Sequence, residues 1–356
     1  QAGLQEIRAD FENVRQAWLW AVAHGQVDTV SRAALECLVN FADMSYAALD
    51  VHALLDQTIA ALQPAAGQPP PPLWEQAVVR RGWVRWLLNE PIDPVDLRSI
   101  LARASNRGDT REMAYCLTVL ALHATQTSDY TSQAAAEGLR LWQAVGDPFY
   151  IAYSYRRNAY ASPDNLEHSI ACLRQGMQIQ RDAGNRAHVC ASLTYVAELL
   201  ALTGAAREAD HLLDGALAIQ NDIGKGSIYV FILSVKAYLA FWRGELDAAA
   251  QFVRLWQDFA RGRAFHGGLS LHFPALLGWI AGVQGDYAQC LALSRQLAAN
   301  PQTRNFMLVW RHGWGLALAN IGLGDPEAAR QALFDVLLLS HNTFKSSTIQ
   351  QQCLPL

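Results

Sequence analysis

Small residues inside apolar stretches recur along this sequence at a nearly constant step. Gly82, Ala121, Ala159, Ala197, Ala237, Gly278 and Ala317 lie 39, 38, 38, 40, 41 and 39 positions apart, each within an apolar, helix-permissive segment. Four of these segments run on to a glycine, at Gly204, Gly244, Gly285 and Gly324, and the last three glycines are followed by Glu245, Asp286 and Asp325. A second amphipathic segment then carries its own small residue, at Ala209, Ala249, Cys290 and Ala329, with steps of 40, 41 and 39. Ala248 to Ala260 places its apolar residues at helical spacing, and no run of alternating β-branched residues is bounded by hairpin dipeptides. The pattern predicts an all-α chain of units, each a helix, a tight turn and a second helix.

Each recurring residue type has a physical reason. Two antiparallel helices joined by a short turn approach closely only where no bulky side chain stands at the crossing, so glycine or alanine is required there. Glycine in the turn supplies the positive φ that ends the first helix, and a following carboxylate caps the second. A second marker, at Gly108-Asp109, Gly146-Asp147, Gly184-Asn185 and Gly224-Lys225, separates successive units at steps of 38, 38 and 40. One helix pair cannot bury both of its apolar faces alone. Stacking on neighbours completes the core, which predicts a right-handed superhelical solenoid of about seven helical pairs over residues 73–340.

Outside that array the pattern changes. Ile7, Phe11, Val14, Trp18 and Val22 form one apolar stripe of a helix expected to end near His24-Gly25, with further helices around Thr29 to Phe41 and Tyr46 to Leu62. Residues 1–63 therefore read as an N-terminal helical cap, and 64–72, rich in proline, as a connecting loop. Residues 341–356 are irregular and read as a truncated repeat, so the chain is expected to be part of a longer polypeptide.

Composition narrows the function classes. The 356 residues would ordinarily suggest about two globular domains, an expectation the repeat replaces with one array. A formal charge of −4 leaves no basic excess for a phosphate backbone or an anionic bilayer. The longest nearly unbroken apolar stretch, Phe273 to Val283, falls far short of the ~20 residues a spanning helix needs. No direct nucleic-acid or membrane partner is expected, and the chain reads as cytoplasmic. Its six cysteines, Cys37, Cys116, Cys172, Cys190, Cys290 and Cys353, form no C-x-x-C pair and suit small buried apolar positions.

The residues offer no catalytic constellation. No H-E-x-x-H, G-x-S-x-G or C-x-x-C occurs. Gly224-Lys225-Gly226-Ser227 superficially resembles a phosphate loop, but Ile219 stands where its first glycine should be and no strand precedes it. His266 with His272, and Glu208 with Asp210 and His211, lack spacing that would fix a tetrahedral metal shell and read as solvated polar residues. No enzyme activity, metal or cofactor is expected in this chain.

The unit Gly204-Ala-Ala-Arg-Glu-Ala209, continuing to Ala216-Leu217 and Ile219, resembles the tetratricopeptide repeat. It matches the turn glycine, the first alanine of the second helix and the closing Ala-Leu pair, while Trp256, Leu297 and Val336 replace the late alanine elsewhere. The opening stretch Asp10-Phe-Glu-Asn-Val-Arg-Gln-Ala-Trp-Leu-Trp-Ala-Val-Ala-His-Gly25 is similar to the start of the helical-repeat region in STAND-class signal-transduction ATPases. These include bacterial transcription regulators of the maltose-activator, LuxR and antibiotic-regulator types. The resemblance implies a sensor that binds an inducer (small molecule, peptide or protein) and restrains an upstream ATPase in the same polypeptide. The alternative is a constitutive protein-interaction scaffold.

In a solenoid of this kind the first helix of each pair lines the concave surface. Positions six before, three before and one after each small residue share one face and are expected to be exposed. Tyr153, Arg156, Tyr160, Glu198, Tyr238, His272, Trp279, Arg311 and Trp314 fall there, as do Trp83, Tyr115 and Phe231. Aromatics interleaved with charged groups suit flat apolar faces with a few directional contacts. The same rings also suit packing between repeats, and Arg156 and Arg311 suit pairing with carboxylates such as Glu198. On the groove reading, alanine at Tyr238 and Trp279 is expected to abolish an inducer response while helicity survives.

Overall fold

The structure is a computed structural model, which describes residues 6, 9–26, 31–45, 47–65, 67–88, 90, 92, 94–123, 129–161, 165–261, 272–299 and 306–343. Its regular structure is helical, and no strand occurs among the described residues. Two compact units form, one from Gln1–His123 with Ala134–Asp147 and one from Ala124–Gln133 with Pro148–Leu356. The division falls inside the segment expected to form one array.

The first unit contains α1 (Phe11–Ala23), α2 (Ser31–Ser45), α3 (Ala48–Ala61), α4 (Pro72–Leu87), α5 (Pro94–Asn106), α6 (Thr110–His123) and most of α7 (Asp129–Val145). As the apolar stripe predicts, α1 ends at His24, and Gly25 turns the chain with a φ of 67°. Trp18 is buried from α1 and donates its indole N–H to Thr58 Oγ1 of α3 at 2.8 Å, so the opening helix is built into the unit. Proline starts α4 at its first position, where no backbone N–H is needed.

An ion network ties this unit together. Arg80 of α4 is wholly buried, donates to Glu112 of α6 and lies 3.8 Å from Glu36 of α2. Arg111 donates to Glu36 at 2.8 and 3.0 Å and to Asp147 at 2.8 Å. Buried Glu75 accepts from Arg103 and Arg107. Removing one partner of a buried pair strands the other charge, so the network fixes how the cap helices seat on α4 and α6.

In the second unit α8 (Pro148–Ala161), α10 (Arg186–Leu202), α12 (Ser227–Trp242), α14 (His272–Val283) and α16 (Phe306–Gly322) are the first helices of five pairs. Their partners are α9 (Leu166–Asp182), α11 (Ala206–Ile223), α13 (Leu246–Ala260), α15 (Tyr287–Ala299) and α17 (Pro326–Thr343). Each first helix packs on its own partner, and α10, α12, α14 and α16 also pack on one another in sequence. The turn glycines carry the predicted left-handed backbone: Gly204 and Gly244, for example, sit at φ 83° and 77°. Asp286 and Asp325 accept the N–H groups of Gln289 and Ala328 at 3.0 Å, as caps should. Glu245 makes no such side-chain bond, which corrects the expectation for that turn.

The late positions that depart from alanine pack by shape. Trp256 lies flat on Phe273 of the following first helix, ring centroids 4.5 Å apart, and Val336 fits where Gly313 carries no side chain. Buried Cys116, Cys172, Cys190 and Cys290 behave as small apolar residues, and burial pushes the Cys190 thiol up to about 11. Cys37 is exposed, against expectation, and Cys353 lies outside the described residues.

Close approach gives a paired prediction. A Cβ at Gly176 of α9 would stand 2.8 Å from the Ala152 carbonyl oxygen of α8, whereas one at Gly215 of α11 would meet nothing within 4 Å. Gly176→Ala should destabilise by about 1–3 kcal/mol despite the better helix propensity of alanine, and Gly215→Ala should stabilise by about 1 kcal/mol. Urea unfolding of the two variants checks the opposite signs.

Candidate functional site

The first helices carry the candidate residues, and the second unit encloses α12 most completely, while residues 312–320 of α16 alternate between buried and half-buried. Every residue of α12 from Tyr229 to Ala240 is buried, because α10, α11, α13 and α14 all pack on that helix. Burial corrects the expectation that the predicted face is exposed: Tyr153 is 2% accessible, Tyr238 2% and Trp279 1%, while Arg156 and Glu198 each retain 8%. Trp314 is half-buried. The side chains of Tyr160, His272 and Arg311 lie outside the described residues.

Among the described candidates two groups form. Arg156 lies over the Tyr153 ring at 4.3 Å and the Tyr195 ring at 5.3 Å, and Tyr195 meets Phe231 at 4.9 Å. Trp279 joins Tyr238 at 5.4 Å to Trp314 at 4.6 Å, with Phe241 at 5.6 Å. The rings stack from one first helix to the next and fill the space between them. In the first unit the same role falls to Trp83, Tyr115 and Trp142, spaced 5.5 and 6.0 Å apart. Tyr195, Phe241 and Arg157, which lies over the Tyr153 ring at 5.0 Å, belong to these groups yet lie off the predicted face.

Burial also governs protonation. His188, against Phe149 at the start of α10, is driven down to about 3 by desolvation and by the nearby Arg156 charge. Lys236 of α12 reaches the surface of α11, where its Nζ bonds Asp210 at 2.8 Å and Asp214 at 2.7 Å. Burial alone would lower the ammonium pKa, but the two carboxylates outweigh it and raise it. Desolvation would likewise raise Asp210, and its bonds to Lys236 and Arg243 lower it instead. These groups edge an open surface depression of about 440 Å³, lined by Arg207, Asp210, His211, Asp214, Arg243 and Glu245.

The other motifs have structural employment. Asp210 is committed to two cations and Glu208 to Arg174, while His266 lies outside the described residues. Gly224 ends α11 with φ 90°, Gly226 donates its N–H to Gln220, and Lys225 lies over the Tyr229 ring, so the Gly-Lys-Gly-Ser run is an inter-helix turn.

Solved structures share this architecture. One chain, from the "Crystal structure of APC/C hetero-tetramer Cut9-Hcn1", aligns over 98% of this chain and 60% of its own length, with 12% identity and a TM-score of 0.56. A second, from the "Crystal Structure of the Apo Form of RapI", aligns over 93% and 97%, with 15% identity and a TM-score of 0.57. The fold is of the tetratricopeptide type. No protein-family model matches the sequence. No curated protein is similar to it in sequence.

Two measurements test the packing. Trp279→Ala should cost about 3–5 kcal/mol of stability and Trp279→Phe much less, by urea unfolding; equal and small losses would return the ring to a ligand role. Lys236→Met should destabilise at neutral pH. Because the folded Asp210 pKa is lowered, its contribution is present above the unfolded value of about 3.9 and lost as pH falls through the folded value. The gap between wild type and variant should therefore close in acid, read as melting temperature against pH.

Proposed function

We propose that the chain is a helical-repeat recognition module whose ligand is another polypeptide, and that it serves as the sensing arm of a STAND-class signal-transduction ATPase. The observation that carries the first part is the filled interior of the second unit. Tyr153 is buried, and Tyr238 and Trp279 pack ring against ring across neighbouring first helices, so recognition falls to exposed outer surfaces and turns, which suit a macromolecule better than a metabolite. Agreement in fold with a chain of a hetero-tetramer supports the same choice.

The second part rests on the Asp10–Gly25 stretch, whose Trp18 and Val22 are buried in the first unit and so have a packing reason to be these residues. In this reading a peptide or protein inducer binds with unequal affinity to two arrangements of the repeats, and only one arrangement restrains the ATPase. Of the described predicted residues, half-buried Trp314 retains access and is the proposed inducer contact from the first helices. A constitutive scaffold would use the same fold without that coupling.

Deleting this chain from the full-length polypeptide separates the two. A restraining sensor predicts a rise in basal nucleotide hydrolysis of about 5–150-fold, the span of ordinary coupling free energies. Unchanged hydrolysis would leave the scaffold.

A further inference from the structure

The turns inside the last three pairs present large apolar side chains to solvent. Trp242 is 45% accessible, Val283 51%, and Ile321 and Leu323 each 52%. All four sit where a first helix ends, just before the positive-φ glycines Gly244, Gly285 and Gly324. Trp242 and Val283 share one register, five positions beyond Ala237 and Gly278. In the last pair Gly322 takes that position because the Tyr287 ring lies against it, and Ile321 and Leu323 flank it.

The first helices stack in sequence: Trp279 touches Tyr238 and Trp314, and Gly282 faces Leu318. Their ends therefore line one edge of the second unit. Beside each apolar rung stands an exposed carboxylate, Glu245, Asp286 or Asp325, with Asp247 close behind, while Glu327 is held by Arg330. The one basic residue within these turns, Arg243, is engaged by Asp210 and the Ala206 carbonyl. The preceding turn lacks both features, since Leu202 is half-buried and Ala205 follows its glycine.

We infer that this edge docks a basic amphipathic helix of a partner protein. The inference rests on the reading of the chain as a partner-binding module, and adds where the partner sits and what it looks like. The rungs recur once per pair, at the ~8–10 Å step of packed helices. A docked helix repeats an apolar side chain every two turns, about 10.5 Å along its axis. Lysine or arginine flanking that stripe would meet the carboxylates, whereas acidic flanks would be repelled. Buried apolar anchors supply the affinity, and the charges select the partner.

The test uses the whole chain and a fluorescent leucine–lysine peptide patterned as an amphipathic helix of about five turns. Saturable binding that weakens with salt is expected, with a leucine–glutamate peptide of the same pattern failing to bind. The triple variant Trp242→Ser, Val283→Ser, Leu323→Ser should weaken binding at least about tenfold. Glu245→Gln, Asp286→Asn and Asp325→Asn together should remove most of the salt dependence, asparagine keeping the caps intact. Phe334→Ser, exposed on α17 and away from these turns, should change nothing. Equal binding of the acidic peptide, or full retention by the triple variant with unchanged circular dichroism, overturns the inference. Failure of the leucine–lysine peptide in a protein whose hydrolysis still rises on deletion would remove this edge and leave the sensing function standing.

Discussion

A pair of antiparallel helices has two apolar faces and only one partner, and that deficit organises the second unit. Each first helix must be covered by its own second helix, by the pair before and by the pair after. Small residues decide how closely they meet. Gly282 admits Leu318, Gly313 admits Val336, and Gly315 lies against Ser294 and the Trp279 ring. Where the approach is less tight, aromatic rings fill the gap, and the column Tyr238, Trp279 and Trp314 is the result. Polar groups on such a helix need partners at its margin, as Lys236 finds in Asp210 and Asp214.

That packing leaves the first helices little surface of their own. A first helix enclosed on every side contributes little surface, and its large residues serve cohesion between repeats. The solvent-facing parts of each pair are the outer face of the second helix and the turns. Outer faces carry mostly polar residues, with local pairs such as Arg330–Glu327 and Gln331–Asp335 on α17. Apolar residues are exposed too: Leu255, Phe334 and Leu338 on second helices, and Trp242, Val283, Ile321 and Leu323 grouped at the turns of the last three pairs. Trp242 also leans on the buried Tyr238 ring at 5.9 Å, while much of its surface and that of the other three stays in solvent beside carboxylates.

Much of this was legible in the residues. Glycine and alanine spacing reports backbone approach directly, so the helix pairs and the left-handed turns at Gly204 and Gly244 followed from pattern alone. Exposure did not, because the rule that first helices line an open surface ignores how apolar these helices are. The α12 sequence offers only Ser234 and Lys236 as polar positions between Tyr229 and Ala240, and a helix apolar on all sides is a buried helix. That signal was present and could have excluded Tyr238 and Trp279 as exposed contacts. The network of the first unit had no comparable trace. Glu36 and Arg111 meet across 75 positions, and no local pattern pairs residues so far apart.

The same constraints limit how the second unit could report a bound partner. Its inner charges are poor sensors of pH: His188 stays neutral down to about 3, and the Lys236 ammonium is held by two carboxylates. The adjustable element is the set of contacts between neighbouring pairs. Because α12, α14 and α16 touch in sequence, a rotation at the Trp279 column would change the spacing of the rungs along the edge beyond it. A rigid helix docked across three rungs, as proposed, would bind best at one spacing, and its differential affinity would act on those rotations. Coupling of this kind would need no cavity and no titrating group, only differential affinity for two spacings of the stack.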